Sequence, residues 1–298
     1  MGAVSMGTNS IKIAIASGKG GTGKTFLSTS LFWTLSQRMD RVTLLDCDAE
    51  EPNSGAFLEK RLIGNVKVTQ KVPEIDTERC TYCSKCYEYC AYNAIFILPP
   101  SRIITVIDDL CHDCGACSVA CQFGAITEKE ALLGAVNIYE SFNHNRFIES
   151  RTEVGVMSPV KVIKEGVKQA GEDGVLIFDA PPGTSCPFIQ TVISADFVVL
   201  ITEPTPFGLS NLVQSVETLA KMGKKYGVVI NRAGLGDRKI YHYLKENHIP
   251  LLLEIPFARE IATHYSKAAI PAMYMPELRN RLDLMFDSIC ETYGNCHN

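Results

Sequence analysis

The sequence has no excess of positive charge, no long apolar run and no basic, apolar leader, and each absence removes a class of function. Its 29 Lys and Arg are outnumbered by 33 Asp and Glu, for a formal net charge of −4, so no general field draws nucleic acid or anionic lipid to its surface. No stretch approaches the roughly 20 consecutive apolar residues of a membrane-spanning helix. The segment after Pro276 has no strongly basic amphipathic face with which to lie on a bilayer. Residues 1–10 lack the charged start, apolar stretch and cleavage site of an export signal and read as a loose leader. Met6 stands where a myristoylated start needs Ser or Thr. A cytoplasmic protein with neither nucleic acid nor membrane as partner is expected.

Cysteine is in surplus, with 12 residues. In a chain expected to stay in a reducing compartment, that number points to metal rather than to disulfides. Eight fall between Cys80 and Cys121, whereas Cys47, Cys186, Cys290 and Cys296 are scattered. The crowded stretch is an internal repeat. Cys80, Cys83, Cys86 and Cys90 recur 31 positions later as Cys111, Cys114, Cys117 and Cys121, and Ala94 and Ile95 recur as Ala125 and Ile126.

Around the repeat the pattern is one of alternating strands and helices. A buried strand over residues 11–16 runs into a glycine-rich turn, a helix-compatible stretch at 24–37 and a second strand at 42–45 ending on Asp46, the start of a βαβ unit. Residues 174–178, 197–201 and 227–230 are short apolar runs bounded by turn residues, as buried parallel strands are. Residues 160–170, 209–222 and 277–290 show helical spacing. The expected fold is α/β, a mostly parallel sheet flanked by helices. Because strands resume after the repeat, the cysteine-rich stretch reads as a small α+β insertion at 67–133 within a discontinuous domain of residues 10–66 and 134–298.

Gly18-Lys19-Gly20-Gly21-Thr22-Gly23-Lys24-Thr25 fits G-x-x-x-x-G-K-S/T, directly after a strand and before a helix. Its glycines let the backbone curl until successive N–H groups face phosphate oxygens, and the helix adds its positive dipole end. Lys24 would reach the β- and γ-phosphates and the Thr25 hydroxyl would ligate Mg²⁺. The loop resembles that of the MinD/ParA/Mrp family of deviant Walker A ATPases, which carry a second lysine where this chain has Lys19. The resemblance covers the chain outside the insertion. It implies that Lys19 crosses a dimer interface to the other subunit's nucleotide, as an arginine finger does, and so a homodimer sandwiching two nucleotides.

Further pieces resemble the same family. Asp46-Cys47-Asp48 resembles switch I, which implies that Asp48 positions the attacking water and Asp46 supports the magnesium shell. Residues 174–179 look like a Walker B strand delivering Asp179 to Mg²⁺. Ala180-Pro181-Pro182-Gly183 resembles switch II, with the Gly183 amide sensing a γ-phosphate. Asn231 sits at a strand end with Gly234 where a guanine-specific pattern needs aspartate, so ATP is expected, with Asn231 and Arg232 at the base. Ile255-Pro256-Phe257 resembles the family's second purine-contacting loop.

The two cysteine runs, each C-x2-C-x2-C-x3-C, resemble those of bacterial ferredoxins, in which the fourth cysteine ligates the other cluster. The resemblance implies one 4Fe–4S cluster on Cys80, Cys83, Cys86 and Cys121 and a second on Cys111, Cys114, Cys117 and Cys90, with each fourth cysteine on a short following helix. Paired structural zinc sites are the alternative. The proline that usually follows the fourth cysteine is replaced by Ala91 and Gln122. Cys186, close to switch II, and Cys290, Cys296 and His297 of the tail receive no role.

An ATPase and two clusters in one chain suggest two functions. The first is ATP-dependent assembly, insertion or carriage of metal–sulfur clusters in a partner metalloprotein, as in the Mrp branch, with slow hydrolysis until the partner binds. The second is an ATP-gated electron donor to a partner redox protein, similar in logic to the nitrogenase iron protein. A positioning ATPase like MinD or ParA is disfavoured by the missing membrane and DNA features.

Overall fold

The computed structural model describes residues 10–293; the leader at 1–9, and Cys296 and His297, lie outside them. Its central element is a nine-stranded sheet in the order β11-β10-β9-β1-β8-β2-β7-β6-β3. The parallel part comprises β1 (Ile11–Ala16), β2 (Val42–Asp46), β7 (Arg146–Thr152), β8 (Val175–Asp179), β9 (Phe197–Thr202), β10 (Lys225–Ala233) and β11 (Leu251–Pro256). The long strands β3 (Arg61–Ile75) and β6 (Ile126–Glu140) complete it by antiparallel pairing.

Alternate residues of β1 show why both faces need cover. Ile11, Ile13 and Ile15 join one core and Ala14 and Ala16 the other, since successive side chains on a strand point to opposite faces. The first core is closed by α1 (Lys24–Ser36), α9 (Pro271–Tyr274) and α10 (Pro276–Tyr293), which supply Phe32, Ala272 and Leu282. The second is closed by α4 (Val160–Ala170), α5 (Cys186–Ile193), α6 (Pro206–Lys221) and α7 (Lys239–Glu246), which supply Val162, Phe188, Leu212 and Ile240. Helix α8 (Arg259–Ser266) stands at the mouth of the cleft described below. Cys290 is buried in the first core, and Cys186 is exposed at the start of α5.

Strand β7 is among those the apolar pattern misses. Its centre carries Glu149 and Ser150, both buried, and Glu149 is held there by Lys60 at 3.9 Å and Arg151 at 3.2 Å. Phe147 and Ile148 are its two buried apolar side chains, one in each core, and the charged residues around them keep them from forming an apolar run.

Strands β3 and β6 pair along their whole length, from Arg61 opposite Glu140 to Ile75 opposite Ile126. Only residues 134–140 of β6 also pair with β7. At that point the ribbon slips register: Val68 faces Gly134, but Thr69 faces Leu132. A Cβ on Gly134 would lie 2.2 Å from the Arg151 carbonyl oxygen, so the bulge admits only glycine. Beyond it the ribbon carries α2 (Lys85–Glu88), the hairpin β4 (Ile95–Leu98) and β5 (Ile103–Val106), and α3 (Ala116–Ala120).

The repeat in sequence is a repeat in backbone. Left-handed residues pair up 31 apart: Tyr82 with Asp113 (φ 55° and 58°), Ser84 with Gly115 (65° and 68°) and Asn93 with Gly124 (53° and 60°). The halves also exchange equivalent hydrogen bonds, Asp76 N–H to Ala125 O at 2.8 Å and Ile107 N–H to Ala94 O at 2.7 Å. Two copies of one unit are thus related by a pseudo-twofold axis.

Candidate functional site

The loop after β1 is tied down on three sides. Ser17 Oγ donates to Lys19 O at 2.6 Å, the Gly183 amide donates to Ser17 O at 3.1 Å, and Asn231 Nδ2 donates to Thr22 O at 2.8 Å. Gly23, at φ 103°, turns the chain into α1, and a Cβ there would meet Asn231 Nδ2 at 2.5 Å. Position 23 is therefore glycine for conformation and for space. The Asn231 side chain, expected at the base, also locks the loop, with its Oδ1 accepting Arg232 N–H at 2.9 Å.

Beneath the loop three carboxyl groups surround one ammonium. Asp46 and Asp179 end neighbouring strands in register and are both buried. Asp46 accepts from the amides of Asp48 (3.0 Å), Asn53 (3.0 Å) and Ser54 (2.9 Å), so both its oxygens already organise the segment that follows β2. Asp179 Oδ2 accepts from Ser54 Oγ at 2.7 Å, while its Oδ1 is buried without a hydrogen bond. An orphaned carboxylate oxygen beside the Thr25 and Lys24 side chains is what a hydrated Mg²⁺ would occupy. Thr25 Oγ1 meanwhile donates to Asn53 Oδ1 at 3.1 Å. Ser54 and Asn53 escaped the sequence reading, because nothing in their local pattern shows that they fold back onto strand ends.

Burial, reinforced by Asp179, holds Asp46 well above the usual carboxylate range, and burial likewise raises Asp179. Asp48 is pushed up to about 6 by burial, against the pull of Lys24. Burial depresses the Lys24 ammonium, which Asp179, Asp48 and Asp46 partly restore. A raised carboxyl value means that the folded site keeps protons to higher pH than the unfolded chain does, and Mg²⁺ favours the ionised forms. Binding of Mg-nucleotide is therefore expected to release protons near pH 6 and fewer at pH 8, and to weaken as pH falls through about 6. Titration calorimetry in two buffers of different ionisation heat reads this directly; equal apparent heats at pH 6 would count against it.

At the carboxyl ends of the strands these groups open into a cleft of about 480 Å³. Gly20, Gly21, Gly23, Lys24, Thr25 and Asp48 form its phosphate end, and Asn231, Arg232, Pro256 and Phe257 its far wall. Tyr265 of α8 completes that wall, stacked on Phe57 at 4.6 Å and edge-on to Phe26 at 6.5 Å. No motif announced it. Gly18, Lys19 and Thr22 instead line a small hollow against α6, and Lys19 Nζ lies 3.8 Å from Glu203 Oε2.

The cysteines gather around two hollows in the ribbon's distal half. One is lined by Cys80, Cys83, Cys86 and Cys121, the other by Cys90, Cys111, Cys114 and Cys117. Each takes three thiols from one run and the fourth from the other. The expected placement of the fourth cysteines is corrected here: Cys86 and Cys117, the third of each run, lie in α2 and α3, while Cys90 and Cys121 fall just past the helix ends. Tight turns close the helices there, Cys90 N–H to Tyr87 O at 3.1 Å and Cys121 N–H to Ser118 O at 3.4 Å, and redirect the next thiol across the pseudo-twofold. The walls differ. Ile75, Ile97, Ile104 and Phe123 make the first largely apolar, whereas Lys71, Asp113 and Glu128 give the second charge.

A glycine loop joining a strand to a helix, a buried lysine among strand-end carboxylates and a cleft at the carboxyl edge of a parallel sheet define a P-loop nucleotide-binding protein. The profile of the CobQ/CobB/MinD/ParA nucleotide binding domain family matches residues 13–271, and the chain belongs to that family. Two uncharacterized proteins of Methanocaldococcus jannaschii are similar, one 31% identical over 284 residues (91% of this chain, 94% of that one) and one 33% identical over 257 (83% and 86%). An uncharacterized ferredoxin of the same organism is 30% identical over 87 residues, 28% of this chain and 51% of its own length. In fold the chain resembles the septum site-determining protein MinD of Pyrococcus horikoshii, complexed with Mg-ADP, at a TM-score of 0.58 and 19% identity, covering 94% of this chain and 96% of that one. The cell division ATPase MinD of Pyrococcus furiosus gives 0.56 and 20%, covering 94% and 99%. Among the described residues no helix is long and apolar enough to cross a membrane.

Proposed function

We propose that the chain is an ATP-hydrolysing homodimeric switch whose inserted unit, residues 67–133, holds two resident 4Fe–4S clusters and passes electrons to a partner redox protein as the nucleotide site closes. The observation that carries this reading is the crossed sharing of thiols, each hollow being lined by three from one run and one from the other. A cluster gripped by both halves of the repeat can leave only by unlocking the pseudo-twofold core, which suits a resident electron carrier better than a transferable cargo. The donor chemistry fits: all eight thiols are free, and backbone amides of Tyr82 and Ala94 point at Cys80 Sγ (3.4 Å) and Cys90 Sγ (3.3 Å). When bound, the clusters supply one-electron chemistry.

The chain's own residues supply the rest. Lys24 and the loop amides hold the phosphates, Thr25 and Asp179 hold Mg²⁺, and Asp48, once ionised, orients the attacking water. Asn231, Arg232, Pro256 and Phe257 receive adenine. Helix α4 links this site to the clusters. It packs on β2, which leads into switch I, and on α5, which follows switch II, and its Lys161 Nζ reaches Asp113 Oδ2 at 3.0 Å and Gln70 Oε1 at 3.4 Å. Asp113 lies between two cysteines of the charged hollow.

Cluster assembly or carriage for a partner metalloprotein is the second reading, supported by the exposure of Cys83 and Cys114. An anaerobic redox titration with and without MgATP separates the two. A shift of about 60 mV, tenfold in a one-electron equilibrium, with iron retained, is the expected result. Iron passing to an apo-acceptor would favour carriage, and neither change would remove both.

A further inference from the structure

Glu203, immediately after β9, is a buried carboxylate with two cations. Its side chain is 8% exposed; Arg232 Nη1 lies 3.0 Å from Oε1 and Lys19 Nζ 3.8 Å from Oε2. The main chain of Glu203 is fixed from behind. Its own carbonyl accepts Thr205 N–H at 2.7 Å, and Thr205 Oγ1 caps α6 by accepting Gly208 N–H at 3.0 Å. Gly208 packs so closely on the Glu203 carbonyl that a Cβ would come within 2.1 Å of it. The Glu203 main chain is thus anchored, while Lys19, 35% exposed and 3.8 Å away, is the more solvent-facing partner.

We infer that Glu203 is the resting place of Lys19, a positioning residue that keeps this lysine within its own protomer until MgATP brings two chains together. The inference rests on the reading of Lys19 as a cation that acts on the other protomer's nucleotide. In the single chain Lys19 turns away from its own cleft and onto Glu203, and it must leave that carboxylate to reach across an interface. A lone buried ion pair would resist this, because removing one partner strands the other charge. Here the second cation changes the outcome: when Lys19 departs, Arg232 still neutralises Glu203. The contact therefore acts as a weak latch. It raises the threshold for dimer closure without blocking it, and it limits hydrolysis by unpaired chains.

The test compares wild type, E203Q, K19A and K19A/E203Q by sedimentation in MgATP and by steady-state hydrolysis. Glutamine keeps the shape and removes the charge. Lys19 is the part-exposed member of the pair, 3.8 Å from the carboxylate, and such a contact has a modest free energy, so E203Q is expected to lower the protein concentration for half-association by about two- to fivefold per lysine released. Basal kcat should rise while KM for ATP changes less. In the K19A background the same substitution should do nothing, an outcome that a merely structural role for Glu203 would not give. Glu203→Asp, which draws the carboxylate back from Lys19, should shift association in the same direction but less. Persistence of the E203Q effect without Lys19, or no effect on a wild type that does associate, overturns the inference alone. A wild type that stays monomeric in MgATP overturns the reading of Lys19 and the inference with it.

Discussion

Cys121→Ala is expected to remove the cluster of the first run, not of its own. Iron and acid-labile sulfide should each fall from about eight to about four per chain, and the reduced spectrum should match that of Cys80→Ala rather than that of Cys111→Ala. Cys90→Ala should group with Cys111→Ala in the same way. The reason is the arrangement of the hollows, each of which takes its fourth thiol from the opposite half of the repeat. Two self-contained runs would give the reverse grouping, and paired zinc sites would give no iron at all. The hollow walls add a secondary expectation. The cluster lost in Cys121→Ala is the one in apolar surroundings, so the survivor should be the one more sensitive to ionic strength, with Lys71, Asp113 and Glu128 around it.

The second large effect separates the two lysines of the loop. Lys24→Ala is expected to abolish Mg-nucleotide binding, since Lys24 is the buried cation among Asp46, Asp48 and Asp179. Its loss leaves those carboxyl groups to take up protons instead. Lys19→Ala is expected to leave binding within a few-fold and to lower stimulated hydrolysis by roughly 10³–10⁵, the range for removal of a charge supplied in trans to a transferring phosphoryl group. Equilibrium binding of a fluorescent ATP analogue and single-turnover hydrolysis tell the variants apart. Equal loss of binding in both would place Lys19 in its own protomer's phosphate cradle and remove the argument for a nucleotide-sandwich dimer.

Much of the frame was legible because its signals are local. The loop motif lies between a strand and a helix that the apolar pattern marks unaided, and β1 and α4 run over the residues their periodicity predicts. What failed to show follows a common physical cause. Strand β7 has only Phe147 and Ile148 as buried apolar residues beside Glu149 and its paired cations, too short a run for periodicity to mark. Ser54 acts at Asp179, 125 residues away, and Tyr265 reaches the nucleotide cleft from the far end of the chain. Neither has a neighbour in sequence that betrays its target.

The residues alone therefore determined the phosphate loop, its Lys24 and Thr25, the 31-residue repeat of thiols and the mostly parallel α/β class, because each depends on spacing within one turn, one helix or one short run. The tertiary structure decided which thiols share a hollow, which oxygen of Asp179 is left open and where Lys19 rests. These depend on strand order: β9 and β8 flank β1, and that order carries Glu203 to the base of the loop. Burial then raises the Asp46, Asp48 and Asp179 carboxyl groups, since a carboxylate holds its proton to higher pH once water has been taken from it.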